Sequence, residues 1–371
     1  MEFQLAPITE RIQENCHISD AKHAGLFSLC GLLLRLRDLF KWEKGLFPWE
    51  EPEPADLMAW VDHREELWET LTEKDFQPIE LDGEGFDPFD APSVNRILRP
   101  QKLIYGAGYA VGMKPSFFLG DLEETRPMGE LEVNIVGTEL VRDIFISPVM
   151  RQGSSIFARR SAMLFVLWDQ LAEMRPSARD ALTYAMAQHG LDAQAIRRTP
   201  RNLGPELKQV AVAELETWIY HEIGEFHEDA FPGSVWHEIV STYPNSPIEI
   251  YARVVKDLLA DTHSFGLIGH IVKHRVKLSL GFYVACVRAF TRLLFPEMLG
   301  AFKQFLLSED WGIIEKAREA GQENGKRWAK TLTELHLLGV DRGIPWARER
   351  IMAELIRPLG IGGGFREDER E

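Results

Sequence analysis

The sequence changes texture along its length, and this change limits the possible folds more than any other feature. Between Lys102 and Ser147 the chain consists of short, Gly-punctuated segments rich in Ile, Val, Phe and Tyr, which are signals of strands and hairpins. From Ser154 onwards almost all of the patterning is helical. No alternation of strands and helices follows the predicted sheet, so a doubly wound α/β fold is disfavoured.

These patterns predict a mainly α protein with a small antiparallel β-sheet. We expect an N-terminal α+β domain at 1–150, containing the sheet at 102–147, and an all-α helical bundle domain at 151–360. A tail at 361–371 is predicted to be disordered. The candidate helices of the second domain are 154–174, 177–189, 205–229, 234–242, 246–261, 263–294, 298–307, 309–330 and 344–358.

The N-terminal domain is predicted to begin with helices. Ser19 or Asp20 is expected to cap a long helix that ends near Gly45. An amphipathic helix is predicted from Ala55 to Leu71, with its apolar residues facing inward.

The composition is that of an ordinary globular protein and points to a cytoplasmic one. The longest nearly apolar run, Ala24 to Leu34, is too short to cross a bilayer, so we expect no membrane insertion. The N-terminus lacks the basic and apolar regions of a signal peptide. The three cysteines are scattered and form no Cys-x-x-Cys pair, which fits a reducing compartment.

Most of the net charge of −15 lies in one region. Residues 43–90 contain 16 acidic residues against Lys44, Arg64 and Lys74, a net charge of −13. Such a surface repels phosphate backbones, so nucleic acid is not an expected partner. The same surface can dock a basic protein partner.

The segment from Glu206 to Glu228 contains the richest local set of metal-ligand side chains. It reads as one amphipathic helix, with an apolar stripe on one side. On the opposite side, at spacings of seven, four and three, lie Glu214, His221, Glu225 and Glu228. A second helix is predicted from His263 to Leu294, and it carries His263, His270 and His274 on one face.

The two predicted helices have opposite charges and matching ligand spacings, so we expect them to pack side by side. Mixed imidazole and carboxylate ligands across helices suit Fe, Mn or Zn. Glu214-x6-His221 resembles the first ligand pair of haem-oxygenase-like di-iron oxidases, although His274 and Lys277 depart from the later His-x3-Asp-x2-His element of that family. The leading function is therefore a helical metal-binding protein, a di-metal (iron or manganese) oxidoreductase.

Two other histidine motifs were considered as ligand sets. His221 begins a zincin-like motif, but Glu225 replaces its second histidine, which disfavours a metalloprotease. Glu14-x-x-His17 and Asp20-x-x-His23 have the spacing of ferritin-like pairs, but four residues at steps of three cannot share one helix face. The alternative function is a non-catalytic interaction or regulatory protein, in which the helix charges form salt bridges and the acidic 43–90 surface docks a partner.

Overall fold

The computed structural model describes residues 4–198 and 200–360, without the side chains of 111, 197, 200 and 201. The tail predicted to be disordered lies outside these residues. The chain divides into two compact units. The first unit comprises residues 1–173 and 196–215, and the second comprises residues 174–195 and 216–371.

The first unit begins with three helices. They are α1 (Leu5–His23), α2 (Leu29–Glu43) and α3 (Pro54–Leu71). The cap predicted at Ser19 or Asp20 is wrong, because both residues are buried inside α1. The cap of α2 is Ser28, whose hydroxyl accepts a hydrogen bond from the Gly31 amide at 3.1 Å.

Strands and two further helices complete the large segment of the first unit. The strands are β1 (Ile79–Leu81), β2 (Glu84–Phe86), β3 (Leu103–Tyr109), β4 (Pro115–Met128), β5 (Leu131–Arg142), β6 (Val149–Gln152) and β7 (Ser155–Arg159). Helix α4 (Ala91–Leu98) precedes β3, and helix α5 (Arg160–Glu173) follows β7.

The strands form two sheets and not the single antiparallel sheet that the sequence predicts. Strands β1 and β2 form an antiparallel hairpin, and the other five form a mixed sheet in the order β3-β4-β5-β7-β6. Strand β7 runs parallel to β5, with Glu132 beside Ser155, while the other pairs are antiparallel. Residues 155–159 were predicted to start a helix, but their four buried side chains from Ile156 to Arg159 place them in the sheet.

Side chains on both faces of the mixed sheet are buried. On one face Tyr105, Phe117 and Leu119 pack against Ile12 of α1 and Val94 of α4. On the other face a second cluster forms. Its buried members are Ile104, Phe118, Val136 and Phe157. This core holds α1 against the sheet, and α1 in turn forms one wall of the site described below.

The remaining elements are helices. They are α6 (Arg179–Ala187), α7 (Ala193–Arg198), α8 (Gly204–His227), α9 (Val235–Thr242), α10 (Pro247–Thr262), α11 (Leu267–His274), α12 (Lys277–Cys286), α13 (Ala289–Leu294), α14 (Pro296–Ser308), α15 (Trp311–Arg342) and α16 (Ile344–Ile351). In the second unit α9, α10, α13, α15 and α16 share one core, which contains Tyr243, Tyr251 and Leu332. Across the described ranges, every helix is too short or too polar to cross a membrane.

The single helix predicted at 263–294 is wrong. The structure has three helices, α11, α12 and α13, over this range. Helix α11 ends at Arg275, whose φ of 54° and ψ of 44° lie in the left-handed region. A left-handed residue ends the run of α-helical hydrogen bonds, and Arg275 does so without the glycine that usually marks such a cap.

Candidate functional site

Helix α8 directs its predicted ligands in the second unit towards α10. The His221 Nδ1 lies 2.7 Å from the Asp261 Oδ1, and the Lys256 Nζ lies 2.7 Å from the Glu225 Oε1. His221 and Glu225 are four residues apart on α8, so one face of that helix makes both ion pairs.

We predicted that the face of α8 carrying His221 would meet the histidines of the 263–294 segment. The neighbouring face, which carries Tyr220 and His227, makes contacts with those histidines. Tyr220 stacks on the His270 ring with 3.6 Å between ring centroids, and the His227 and His263 rings lie 6.0 Å apart. Tyr220 and His227 are seven residues apart, on a face about 100° from that of His221. His270 of α11 and His263, just after α10, therefore meet aromatic rings of α8.

The other predicted ligands are placed separately. Glu228 accepts a hydrogen bond from the Ala230 amide, and the His263 Nδ1 accepts one from the Phe265 amide at 3.1 Å. His274 lies beside His270, with ring centroids 4.5 Å apart. Glu214 is buried and belongs to the first unit.

The charges around these histidines differ from ring to ring. Burial alone would lower the pKa of His221, but the hydrogen-bonded Asp261 carboxylate raises it well above its usual value. Burial and the neighbouring His274 lower the pKa of His270 to about 4. Among residues 4–198 and 200–360, no group of three or more His, Cys, Asp or Glu side chains is placed to hold a metal ion. The metal site stays a prediction.

Sequence reasoning missed Asp261, the partner of His221, and Tyr283, which faces the same carboxylate. Burial and the Asp261 charge raise the pKa of the Tyr283 hydroxyl well above its usual value. One turn before Tyr283 on α12, the Ser279 hydroxyl donates to Thr217 of α8 at 3.0 Å. Thr217 and His221 lie four residues apart on α8, as do Ser279 and Tyr283 on α12. Residues four apart share one helix face, so this spacing is the sequence signal that α8 and α12 present polar faces to one another.

The first unit contains a groove between α1 and α3. Its α1 wall carries Thr9, Gln13 and His17 at successive turns, and residues 139–141 of β5 line it as well. On the α3 side the lining residues follow the spacing of one helix face. They are Arg64, Leu67, Thr70 and Leu71, followed by Lys74 just after the helix.

The groove has two compartments that share Gln13, His17 and Leu140. The outer compartment has a volume of about 540 Å³ and carries Glu10 and Glu14. The inner compartment has a volume of about 490 Å³. Because the two compartments share lining residues, they adjoin one another.

Arg64 organises the inner compartment. Its Nη2 donates to the Glu43 Oε2 at 2.6 Å, and its Nη1 lies 2.9 Å from the His17 Nδ1. The guanidinium also lies over the Trp60 ring, 4.4 Å from the centroid. Burial and the Arg64 charge lower the pKa of His17 to about 3, so its imidazole is neutral at neutral pH.

A buried carboxylate lines the inner compartment. Glu139 is 4% exposed, and its Oε1 accepts a hydrogen bond from the Arg159 Nε at 2.5 Å. Its Oε2 accepts no hydrogen bond from any residue that the structure describes and lies 3.9 Å from the Arg142 Nη1. The indole of Trp42 donates to the Glu139 carbonyl at 3.2 Å. The Glu139 carboxylate is therefore fully buried between the guanidinium groups of Arg159 and Arg142, which supply its countercharge.

The acidic residues of the 43–90 region are exposed to solvent. All 16 except the half-buried Glu50 are exposed. Of the three basic residues, Arg64 is buried in its pair with Glu43, while Lys44 and Lys74 are exposed. Fifteen exposed acidic residues against two exposed lysines give an outward-facing charge of −13, the same as the sequence count.

Comparison with known proteins places both units in one family. Residues 7–159 match the N-terminal domain of a family of unknown function, DUF6866, and residues 164–354 match its C-terminal domain. The chain belongs to the DUF6866 family. No curated protein and no solved structure matches the chain. The α1–α3 groove and the acidic 43–90 region lie within the DUF6866 N-terminal domain, and His221 and Asp261 lie within the C-terminal one.

Proposed function

We propose that the protein is a non-catalytic interaction protein whose first unit docks a basic partner on the acidic 43–90 surface. The exposure of 15 of the 16 acidic residues in this region carries the proposal. Helix α3 alone presents Asp62, Glu65 and Glu69 at spacings of three and four, so one stripe of the helix is negative. The negative electrostatic potential of this surface attracts a positively charged partner and favours its binding over that of neutral or acidic proteins.

The helix charges of the second unit also favour this function. The interaction function predicts that these charges form salt bridges, and His221 and Glu225 lie in ion pairs with residues of α10. A carboxylate held by a lysine is a poor metal ligand, because the cation competes for the same oxygen.

The test uses a defined basic probe. Fluorescein-labelled nona-arginine is titrated with the full chain, and fluorescence anisotropy gives the Kd at several salt concentrations. We expect binding that weakens with salt. The triple variant Asp62→Lys, Glu65→Lys and Glu69→Lys should raise Kd about tenfold, because three exposed attractions of about 0.5 kcal/mol each are lost.

A matched reversal on another helix controls for the change in net charge. Glu319, Glu323 and Glu334 are exposed on α15, and changing them to Lys alters the total charge by the same amount. The docking proposal expects this control to bind like the wild type. Equal weakening in both triples would show that only the net charge matters and would refute a specific docking surface.

The metal-dependent oxidoreductase remains a prediction, as do the all-α bundle arrangement of 151–360 and the cytoplasmic location. The lowered pKa of His270 keeps its imidazole neutral, and neutral imidazole is the form that binds metal. Elemental analysis of protein purified without chelators tests the metal prediction, and a stoichiometric transition metal would support it.

A further inference from the structure

We propose that an arginine side chain of the basic partner docks on the exposed ring of Tyr109, beside the carboxylates of the 80–90 segment. This inference rests on the proposed docking function and names the type of side chain that the partner contributes. Its grounds are an exposed aromatic stack, neighbouring carboxylates that form no salt bridge, and a cation that already lies on an adjoining ring.

Tyr109 ends strand β3 with much of its ring open to solvent. The residue is 58% exposed, and its ring stacks on Phe89 with 5.1 Å between centroids and 9° between planes. Stacking covers only one face of the Tyr109 ring, so the rest of the ring is accessible. Tyrosine is among the residues that contribute most to binding energy at protein interfaces.

The ring beneath Tyr109 is held in place by the first unit. The Phe89 centroid lies 5.3 Å from that of the buried Phe117 ring. The Tyr105 hydroxyl donates to the Pro88 carbonyl at 2.7 Å, and the Phe89 amide donates to the Asp87 Oδ1 at 2.7 Å. A surface that is already ordered loses little conformational freedom when a partner binds.

The segment that carries Phe89 is strongly acidic. Residues 80–90 contain five acidic residues and no basic one, and all five are exposed. They are Glu80, Asp82, Glu84, Asp87 and Asp90. Within the described part of the chain, none of these five forms a salt bridge. Their charges therefore stay available to a cation brought by a partner.

Nearby basic residues leave this surface negative. The Lys22 Nζ of α1 lies 5.7 Å from the centroid of the Phe76 ring, and that ring contacts Phe89 with 5.8 Å between centroids. Arg96 is exposed on α4. With both cations counted, five negative charges still stand against two positive ones. Lys22 also shows that a ring beside this stack holds a cation over its face.

An arginine fits this surface better than a lysine does. Its guanidinium is flat, so it stacks on an open aromatic face while its N–H groups still reach carboxylates beside the ring. A lysine ammonium is a compact, strongly hydrated charge and gains less from the ring. The surface should therefore distinguish two peptides of equal charge by their side chains.

The experiment compares fluorescein-labelled nona-arginine with fluorescein-labelled nona-lysine by anisotropy on the full chain. We expect the wild type to bind nona-arginine about fivefold more tightly, since the two peptides differ in stacking and not in charge. Tyr109→Ala should weaken nona-arginine binding about fivefold and leave nona-lysine binding unchanged, which removes the preference. Tyr109→Phe keeps the ring and should bind both peptides like the wild type.

Phe265→Ala is the matched control. Phe265 is 59% exposed, close to the value for Tyr109, and it belongs to the second unit, so its loss should change neither Kd. A second reading uses protein labelled with ¹³C at its seven tyrosines. The ring peaks of Tyr109, assigned with Tyr109→Phe, should move further with nona-arginine than with nona-lysine.

The outcomes separate the two proposals. If Tyr109→Ala keeps the preference for nona-arginine while the Asp62/Glu65/Glu69 reversal weakens binding, the Tyr109 anchor is overturned and the docking surface stands. Equal weakening of both peptides by Tyr109→Ala would overturn the assignment to arginine. No binding of either peptide to the wild type would overturn both proposals.

Discussion

Replacing His17 should make the protein resist acid better than the wild type does. In the folded state the pKa of His17 is lowered from 6.5 to about 3, first by burial and then by the Arg64 charge. The unfolded chain therefore binds a proton at His17 between pH 6.5 and 3, and the folded protein does not. Stability consequently falls as pH drops through 6.5, and His17→Gln removes this contribution.

The size of the effect follows from the two pKa values. At pH 4.5 the unfolded His17 lies two pH units below its pKa, and each unit contributes about 1.4 kcal/mol to unfolding. The full shift therefore predicts a loss of about 2.5 kcal/mol between pH 7 and pH 4.5. His17 is half-buried, so solvent screening reduces the expected difference to between about 1 and 2.5 kcal/mol.

Urea unfolding of wild type and His17→Gln at pH 7.0 and 4.5 measures this difference. At pH 7.0 we expect the variant to lose up to about 1 kcal/mol, because a neutral contact with Arg64 is changed. At pH 4.5 it should equal or exceed the wild type in stability. His63→Gln, at an exposed position on α3, should change stability by less than about 0.5 kcal/mol at either pH. Parallel pH curves for wild type and His17→Gln would refute the reasoning.

Two further predictions concern packing and buried charge. A Cβ on Gly224 would lie 2.1 Å from the Ala260 carbonyl oxygen, so Gly224→Ala should destabilise by about 2 kcal/mol or more in thermal melts. Gly300→Ala, in open space on α14, should instead stabilise by about 0.5–1 kcal/mol. Lys114→Met strands the two buried aspartates that the lysine bridges at 3.0 and 3.2 Å, and urea unfolding should show a loss of about 3–5 kcal/mol. A loss below 1 kcal/mol would contradict that bridging role.

Helices with one clear apolar face were predictable almost to the residue. The helix predicted at 55–71 is Pro54–Leu71, and the one predicted at 246–261 is Pro247–Thr262. In both cases proline at the first turn and the spacing of apolar residues are local signals. The segment at 263–294 carried no such stop signal at Arg275, so its division into three helices could not be seen locally.

The mixed sheet shows the limit of reading periodicity alone. Residues 155–159 are short and apolar, and such a run reads equally as a buried strand or as the start of a helix. Its pairing with β5 decides the matter, and β5 lies more than twelve residues earlier in the chain. A parallel neighbour leaves no turn signal between the two strands. The antiparallel neighbour β6 does leave one, the turn at Gly153 with a φ of 58°, and the prediction of a helix passed over it.

Opposite net charge between two helices does not decide which residue each charged side chain meets. Helix α8 is acidic, and any helix with well-placed cations or polar groups can satisfy it. The structure uses α10, where Lys256 and Asp261 lie five residues apart and meet Glu225 and His221. Sequence reasoning compared net charges of whole helices, whereas each ion pair is decided by single side chains on one helix face.

Asp20 shows how contacts with residues distant in the sequence override a local signal for a helix cap. A serine followed by an aspartate ahead of an apolar run is a sound local signal for a helix cap. The Asp20 carboxylate instead meets the Lys114 Nζ at 3.0 Å and the Ile144 amide at 3.2 Å. These partners lie about a hundred residues away in sequence, so only the folded sheet brings them together. Once buried, the aspartate cannot leave its lysine without stranding a charge, and this penalty outweighs the modest gain from a cap.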